Sequence, residues 1–542
     1  MTINELIRMR TIDYLAQLDP DCLPSPSDIE SELVSTIKKA VVLENQNLSK
    51  TEKLTAPQKL CASQIALVML HTHNIVRVKT CEGNVNPDYD LLAIYKDNGV
   101  NEGIYVTDET EFKRVAHSYN FSITSKELHD VMEMLLMHAP RVSRTMDRDL
   151  IAVNNGIFNF KTKILEPFSP DYVFMVKSKV NYNPFAKNVV IHNDEDGTNW
   201  DIESWMEELF DDPELTQLMW EILSAIIRPF VKRQKMAVLY AQSGNNGKGS
   251  LCELMRALIG EGSYASLSLS DFGTDFLLEP LIRANAIIRD ENDVGTFVDK
   301  AANLKAVITN DVISINRKHK TPISYQFYGF MVQCLNEFPR IKDKSDSFYR
   351  RQLFIPFDKC FTGKERKYIK ERYLHMDTVL EFVLFRILNM NFYSLSEPTV
   401  CRLALAEFKE FNDPVRQFLD EMLEQLVWDM IPFSFLHDLF KSWSHKNNPN
   451  GSIQGKNTFI NDVVNMLGEY PEWYCQDRKK ALRPRKRMDK PEPLIVEYGL
   501  EEWKNPSYMG GDIDRICTPK LKQSYRGLLR TGCNDDADDT DD

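Results

Sequence analysis

Residues 236–250 read Met-Ala-Val-Leu-Tyr-Ala-Gln-Ser-Gly-Asn-Asn-Gly-Lys-Gly-Ser, and no other stretch limits the fold as much. Met236 to Tyr240 is a short apolar run that predicts a buried strand. A loop rich in Gly and Asn follows, and from Ser250 the residues Leu251, Leu254, Met255 and Leu258 recur at helical spacing. Strand, glycine loop, lysine and helix together make a cradle for a polyphosphate. Glycines let backbone N–H groups turn inward with no Cβ in the way. The helix start adds partial positive charge, and Lys248 supplies a full charge to the β- and γ-phosphates. The candidate nucleotide-binding set is Gly244, Asn245, Asn246, Gly247, Lys248, Gly249 and Ser250. Two features depart from the usual pattern: Gln242 stands in the place of its first glycine, and Gly249 separates the lysine from the hydroxyl of Ser250. The bland alternative is a Gly-Asn turn with a lysine on its rim.

The chain of 542 residues is long enough for about three domains. An apolar share of 43% with 27% charged residues is that of a soluble globular protein. Apolar runs such as Ile65 to Leu70 are too short to span a membrane, and the N-terminus lacks an apolar signal core. Ten cysteines without a CxxC pair argue for reduced thiols in a cytosol-like compartment and against a zinc site. The net charge is −13, and setting aside the six aspartates among Asp535 to Asp542 leaves −7. Nucleic-acid binding would therefore have to use local basic patches.

In chain order, residues 1–60 read as helical and solvated, with a helix start at Ser27 or Asp28. Residues 61–195 mix helix and short strands. Leu91 to Tyr95 and Gly103 to Val106 read as strands, Ser125 to His138 as a helix, and Asn154-Asn155-Gly156 as a turn between strands. Residues 186–200 read as a polar linker within this stretch. Residues 196–232 form a helical collar, with Trp205 to Phe230 amphipathic, and the nucleotide-binding domain spans 233–405. A further domain spans 412–510, and 511–542 is a tail ending in acidic residues expected to be disordered. Asp88-Tyr89-Asp90 could hold metal for nucleotidyl transfer, but the adjoining Asn-Pro makes an exposed loop the better reading.

Downstream, Ala286 to Arg289 predicts a strand ending in Asp290-Glu291. Asp290 is placed to hold Mg²⁺ and Glu291 to polarise an attacking water; two surface acids at a strand end are the alternative. Val312 to Ile315 and Ile323 to Phe327 read as a hairpin with a basic tip, 316–320, which alone would pass for a solvated turn. Phe330 to Leu335 predicts a strand ending in Asn336, an amide able to bridge the γ-phosphate and water. Arg350-Arg351 precedes the strand Leu353 to Phe357, and an arginine there is a candidate finger for a neighbouring subunit's γ-phosphate. Beyond Asn412, three helices (416–426, 435–445, 458–467) precede a basic run through Arg478, Arg485, Lys486, Arg487 and Lys490. Helices followed by a basic ribbon suggest a winged helix gripping phosphate backbone, with a solvated loop as the alternative.

These motifs, in this order, resemble those of superfamily 3 helicases, the compact hexameric ATPases of viral and plasmid replication. The phage and plasmid primase-helicase group is the closest likeness, with poxvirus primase-helicase more distant. The resemblance rests on Gly244 to Ser250, Arg289 to Asp293, Cys334 to Asp343 and Ser347 to Phe357, and extends loosely over 85–470. It implies an α/β fold: a P-loop, AAA+-like ATPase core between a helical and mixed N-terminal domain and a C-terminal winged helix. By position it makes Lys248 and Ser250 the phosphate and Mg²⁺ contacts, Asp290 and Glu291 the metal-binding and catalytic acids, and Asn336 the sensor. Arg351, with Arg350 beside it, matches the finger, and Lys318-His319 the hairpin tip that holds DNA in a central channel. The function so implied is an ATP-dependent replicative DNA helicase of a phage or mobile element. It would move on single-stranded or forked DNA as a homo-oligomeric, hexameric ring, with ATP and Mg²⁺ as cofactors, in the bacterial cytoplasm. A primase or origin-binding protein is the expected partner. Two alternatives stay open: a bifunctional primase-helicase using Asp88 and Asp90, and an origin-binding initiator whose ATP site gates assembly.

Overall fold

The structure, a computed structural model, describes residues 2–532 except 21, 84–85, 294, 319, 344 and 448–452, and of Phe297 the backbone alone. His319 and the acidic end from Asp535 lie outside the described residues. The chain divides into two compact units, Met1–Leu405 and Ala406–Asp542. Among the described residues, no helix is long and apolar enough to cross a membrane.

The first unit opens with α1 (Ile3–Leu15), α2 (Pro26–Asn45) and α3 (Ala62–Thr72). Thr2 and Glu5 close a capping box on α1. On α2 the cap is Ser25, whose Oγ accepts from Asp28 N at 3.2 Å with Pro26 opening the helix, so the start lies earlier than the expected Ser27 or Asp28. These helices are not solvated as expected: Leu6, Ile7, Leu33 and Ile37 are buried in two apolar clusters.

Next come β1 (Ile75–Val78), β2 (Leu91–Tyr95), β3 (Tyr105–Val106), α4 (Glu109–Tyr119), α5 (Ser125–His138) and β4 (Arg141–Val142), with the strands in the order β3-β2-β1-β4. The pair β5 (Leu150–Val153) and β6 (Gly156–Asn159) turns at Asn154-Asn155 and continues to β7 (Ile164–Glu166). The stretch read as a linker holds a small antiparallel pair, β8 (Ile191–His192) and β9 (Asn199–Trp200). Trp200, 3% exposed, anchors it in the main core, an apolar contact that the polar composition hides. Helices α6 (Ile202–Glu208) and α7 (Pro213–Ile227) then lead to the central sheet.

That region runs β10 (Met236–Tyr240), α8 (Lys248–Ile259), β11 (Tyr264–Ala265), β12 (Ala286–Arg289), β13 (Phe297–Val298), α9 (Ala302–Ile308), β14 (Val312–Arg317) and β15 (Lys320–Gln326). It continues with β16 (Phe330–Leu335), β17 (Arg340–Ile341), α10 (Asp346–Tyr349), β18 (Gln352–Pro356), α11 (Lys367–Glu371) and α12 (Asp377–Asn389). The central sheet has the order β11-β12-β16-β10-β18, and every pairing is parallel. A parallel sheet covered on both faces needs continuous apolar strands. Accordingly Val238, Leu239, Val332 and Ile355 are fully buried, each stabilising the core by roughly 1.5–3 kcal/mol. The carboxyl ends of β10, β12 and β16, adjacent in the sheet, aim the residues that follow them at one edge.

The antiparallel pair β14–β15 buries Ile313, Ile315, Ile323 and Tyr325, and its root is fastened to the chain just after β1 and β4. Gln326 N donates to Thr80 O at 3.1 Å, and Arg144 Nη2 to the Tyr325 hydroxyl at 2.9 Å.

Helix α13 (Thr399–Asn412) carries the chain into the second unit. Its elements are α14 (Pro414–Met422), β19 (Met430–Pro432), α15 (Phe433–Asn447), α16 (Lys456–Met466), β20 (Trp473–Tyr474) and β21 (Gly527–Arg530). The strands form an antiparallel sheet ordered β19-β21-β20. In the core of this unit Phe418 meets Phe440 and Trp443 edge to face, and Phe440 stacks on Phe459. The expected boundary at 510 falls too early, because β21 is the middle strand of this sheet. Gly527 permits the pairing: a Cβ there would lie 2.0 Å from Ile431 O.

Candidate nucleotide site

The loop after β10 is closed by its own residues. Asn245 and Gly247 take left-handed conformations, φ 53° and 90°. A Cβ at Gly247 would lie 2.6 Å from Leu209, so only glycine fits. Buried Asn246 donates its amide to Ser243 O, and its Oδ1 faces Lys248 N at 3.5 Å. Helix α8 begins at Lys248, earlier than the periodicity from Ser250 suggests, because Gly247 rather than a side chain occupies its cap position. With no side chain capping it, this helix start offers N–H groups to an anion.

Lys248 is 6% exposed and its Nζ donates to Asn336 Oδ1 at 3.1 Å. Burial holds its ammonium below the usual lysine range, while Cys334, Asp290 and Cys252 act in the opposite direction. A Cβ on Gly249 would lie 3.4 Å from Asp290 Oδ1 and 3.3 Å from Lys370 Nζ. Lys248, Gly249, Asp290 and Asn336 thus come together, and α11 adds Lys370. Ser250 is half-buried on the wall of an adjoining cavity of about 330 Å³. Gly244, through its carbonyl, meets Cys360 Sγ at 3.8 Å, and Asn245 O accepts from Phe361 N at 2.7 Å. Glu291 is exposed, and its backbone carbonyl accepts from Arg289 Nε at 2.5 Å.

At the paired strands, Lys318 is exposed at the tip. Lys320 pairs with Glu109 at 2.7 Å, and Arg317 folds back onto Thr321 O at 2.8 and 3.1 Å. Arg351 is tied within its own chain, donating to Ser347 O and to Ser347 Oγ at 2.8 Å, whereas Arg350 is exposed.

Residues 91–223 match the family model described as D5 N terminal like, and residues 410–497 the model described as Poxvirus D5 protein-like. These two segments of the chain are thus similar to D5-like proteins. Residues 239–351 match a further family of unknown function, DUF5906. No curated protein matches the chain. Among solved structures it is similar to three of the NrS-1 C terminal region: the A form apo structure (12% identity, TM-score 0.41), the A form apo structure of 305–718 (14%, 0.42) and the apo structure of 305–718 (13%, 0.40). These likenesses cover 86–87% of this chain and 99–100% of the others.

The D5-like segment 410–497 contains the basic run. It is not a β-ribbon: Arg485–Met488 is a short 3-10 turn, with Arg485 and Lys486 exposed and Arg487 half-buried. Proline at 484 and a left-handed Arg485, φ 40°, break any strand there. Arg478 reaches α16 instead, donating to Asn461 at 2.5 Å and Asn465 at 3.2 Å.

Just before the matched segment 91–223, the Asp88–Asp90 stretch is a 3-10 turn whose second acid is not exposed as expected. Asp90 is 9% exposed and held by Arg141 at 2.6 and 2.9 Å, because an ion pair across to β4 draws it in. Asp88 and Asp90 line a larger cavity, about 700 Å³, away from Lys248.

Two residues escaped the sequence reading. Asn292, 5% exposed, donates to Gln333 Oε1 and Cys334 O at 3.0 Å each and accepts from Leu269 N at 3.0 Å, fixing the turn that presents Asp290. Its signal was an amide directly after the acid pair. Lys370 carried no signal, because it reaches Gly249 only through the path of the chain after β18.

Proposed function

We propose that this chain is an ATP-dependent replicative DNA helicase that works as a homo-oligomeric ring on single-stranded DNA. The observation that carries this reading is the meeting of Lys248, Asp290 and Asn336 beyond the carboxyl ends of three adjacent parallel strands. The strand order and the glycine loop support a P-loop, AAA+-like core. The uncapped start of α8, the buried Lys248 and the adjoining cavity fit a nucleoside triphosphate. Asp290 beside Gly249 fits Mg²⁺, which when bound would offset the charge of the β- and γ-phosphates. Lys248 would hold those phosphates, Glu291 would polarise the attacking water and Asn336 would orient it. Ser250 takes a metal role only if its hydroxyl can pass Gly249. In the second unit, the succession α14-β19-α15-α16-β20-β21 with β21 central supports a winged helix whose wing is the long excursion 475–526. Arg485, Lys486 and Arg487 there are candidates for phosphate contacts.

The test is strand displacement on a forked duplex. ATP should drive unwinding by the parent chain, Glu291→Gln should bind ATP without turnover, and Lys318→Ala should hydrolyse ATP yet lose unwinding. Hydrolysis by the parent without any strand displacement would replace this reading with an initiator whose ATP site gates assembly. The primase alternative loses support from Asp90, which is held in an ion pair.

A further inference from the structure

Behind the phosphate loop, three soft and hard donors converge from separate elements. Cys252 lies on α8, four residues after Lys248, and Cys334 lies on β16, two before Asn336. Their Sγ atoms are 3.3 Å apart, and a carboxylate oxygen of Asp290 joins them so that all three ligand atoms lie within 4.8 Å of one another. Both cysteines are buried, at 0% and 1% exposure, while the Asp290 side chain is 35% exposed and opens the cluster toward the nucleotide site.

We propose that Cys252, Cys334 and Asp290 form a binding site for one thiophilic divalent cation of the Zn²⁺ or Cd²⁺ class. Two thiolates and one carboxylate are a ligand set that selects soft or borderline metals and disfavours Mg²⁺. Zn–S bonds are about 2.3 Å and Zn–O bonds about 2.0–2.2 Å. Two thiolates on a tetrahedral ion therefore stand roughly 3.8 Å apart, so the sulfurs need to separate by only about half an ångström. Each thiol gives its proton to solvent as its metal–sulfur bond forms. The three anionic ligands exceed the charge of the cation, and Lys248, which interacts with all three, balances the remainder. Three protein ligands leave the fourth position to water, as in open zinc sites. Arg256, 3.7 Å from Asp290, is the opposing charge, and Asp290 turns away from it when it ligates. If Asp290 also serves Mg²⁺, as proposed above, filling this site withdraws it from ATP and stops hydrolysis; that consequence rests on the proposed function, whereas metal binding does not.

The experiment is a Cd²⁺ titration of the full, reduced chain carrying Cys22→Ser and Cys360→Ser to remove exposed thiols, followed by thiolate-to-metal charge-transfer absorption. The expected result is one more Cd²⁺ bound than in the same chain with Cys252→Ala and Cys334→Ala. Asp290→Asn should weaken that site by at least about 10-fold, the lower bound seen for loss of even an outer-sphere partner. Equal binding by the chain lacking both thiols overturns the proposal. Where those variants fail to fold, X-ray absorption of the Zn²⁺-loaded parent decides: two sulfur neighbours at about 2.3 Å support the site, and one or none overturns it. Cd²⁺ bound through both thiolates with ATP hydrolysis intact supports the site and removes Asp290 from the catalytic reading instead.

Discussion

Lys248 Nζ donates to Asn336 Oδ1 at 3.1 Å, joining the start of α8 to the end of β16. The amide thus holds the lysine in the place where a phosphate would take it. Asn336→Asp should tighten that hold by supplying a charged acceptor and lower ATP affinity at least tenfold. Asn336→Ala should leave affinity within a few-fold but slow hydrolysis by roughly 10²-fold, the scale of losing one preorganised polar group. Nucleotide binding by fluorescence and steady-state ATPase assays separate the two outcomes, and equal affinity in Asn336→Asp would show that the contact does not compete with nucleotide.

Lys370 faces Gly249 from a segment far along the chain. A charged hydrogen bond contributes about 1.5–3 kcal/mol, so Lys370→Ala should raise the KM for ATP by roughly 10–100-fold. Lys370→Arg should recover part of it. An unchanged KM in Lys370→Ala would make the residue a bystander on the cavity rim.

The arginine pair separates by exposure. Arg351 is bonded to Ser347, so Arg351→Ala should first cost stability of the turn after α10. Arg350→Ala should leave folding intact and cut DNA-stimulated hydrolysis by roughly 10³–10⁵, the range of arginine fingers. Mixing Arg350→Ala with Glu291→Gln protein should restore some turnover, because one interface then holds both groups. Absence of rescue in a proven mixed assembly would argue against action in trans.

Glu492, fully buried, accepts from Val427 N at 2.8 Å and from Trp428 N at 3.4 Å. Burial raises its carboxyl above the ordinary 4.5, with the backbone hydrogen bonds opposing. The protonated form is therefore favoured in the folded state. Its contribution to stability is complete below the unfolded value of 4.5 and is lost as pH rises through the raised folded value. Glu492→Gln removes this dependence, so the second unit should melt higher than the parent at pH 8, by roughly 2–5 °C, and the gap should close toward pH 4. Calorimetry of the full chain at both values checks it; a gap that widens in acid would reverse the sign.

The central strands were legible in the sequence because a covered parallel sheet leaves an unbroken apolar signature, as in Met236 to Tyr240 and Phe330 to Leu335. The acids and amide at their ends followed by position. Lys370 was not legible, since its place depends on how the chain returns after Pro356. Strand β21 was hidden because four residues carry no periodicity, and its partners β19 and β20 lie in separate, distant stretches of the chain. The first two helices read as solvated because charged residues are interspersed among their apolar ones. What buries Leu6 and Leu33 is packing among elements, a tertiary effect that overrides local pattern.

The fastening of Gln326 to Thr80 turns the β14–β15 pair into a lever with a fixed fulcrum. Eight residues separate Lys318 at the tip from Gln326, and at about 3.3 Å per residue the arm is roughly 26 Å long. A tilt of about 10° at the root would carry the tip by roughly 4–5 Å, more than the ~3.4 Å rise of one nucleotide along a strand. Such a motion would have to part Lys320 from Glu109 and Asn316 from Asp275 and uncover Ile315 and Ile323, so the elements packed along the arm brace it as well as hold its root.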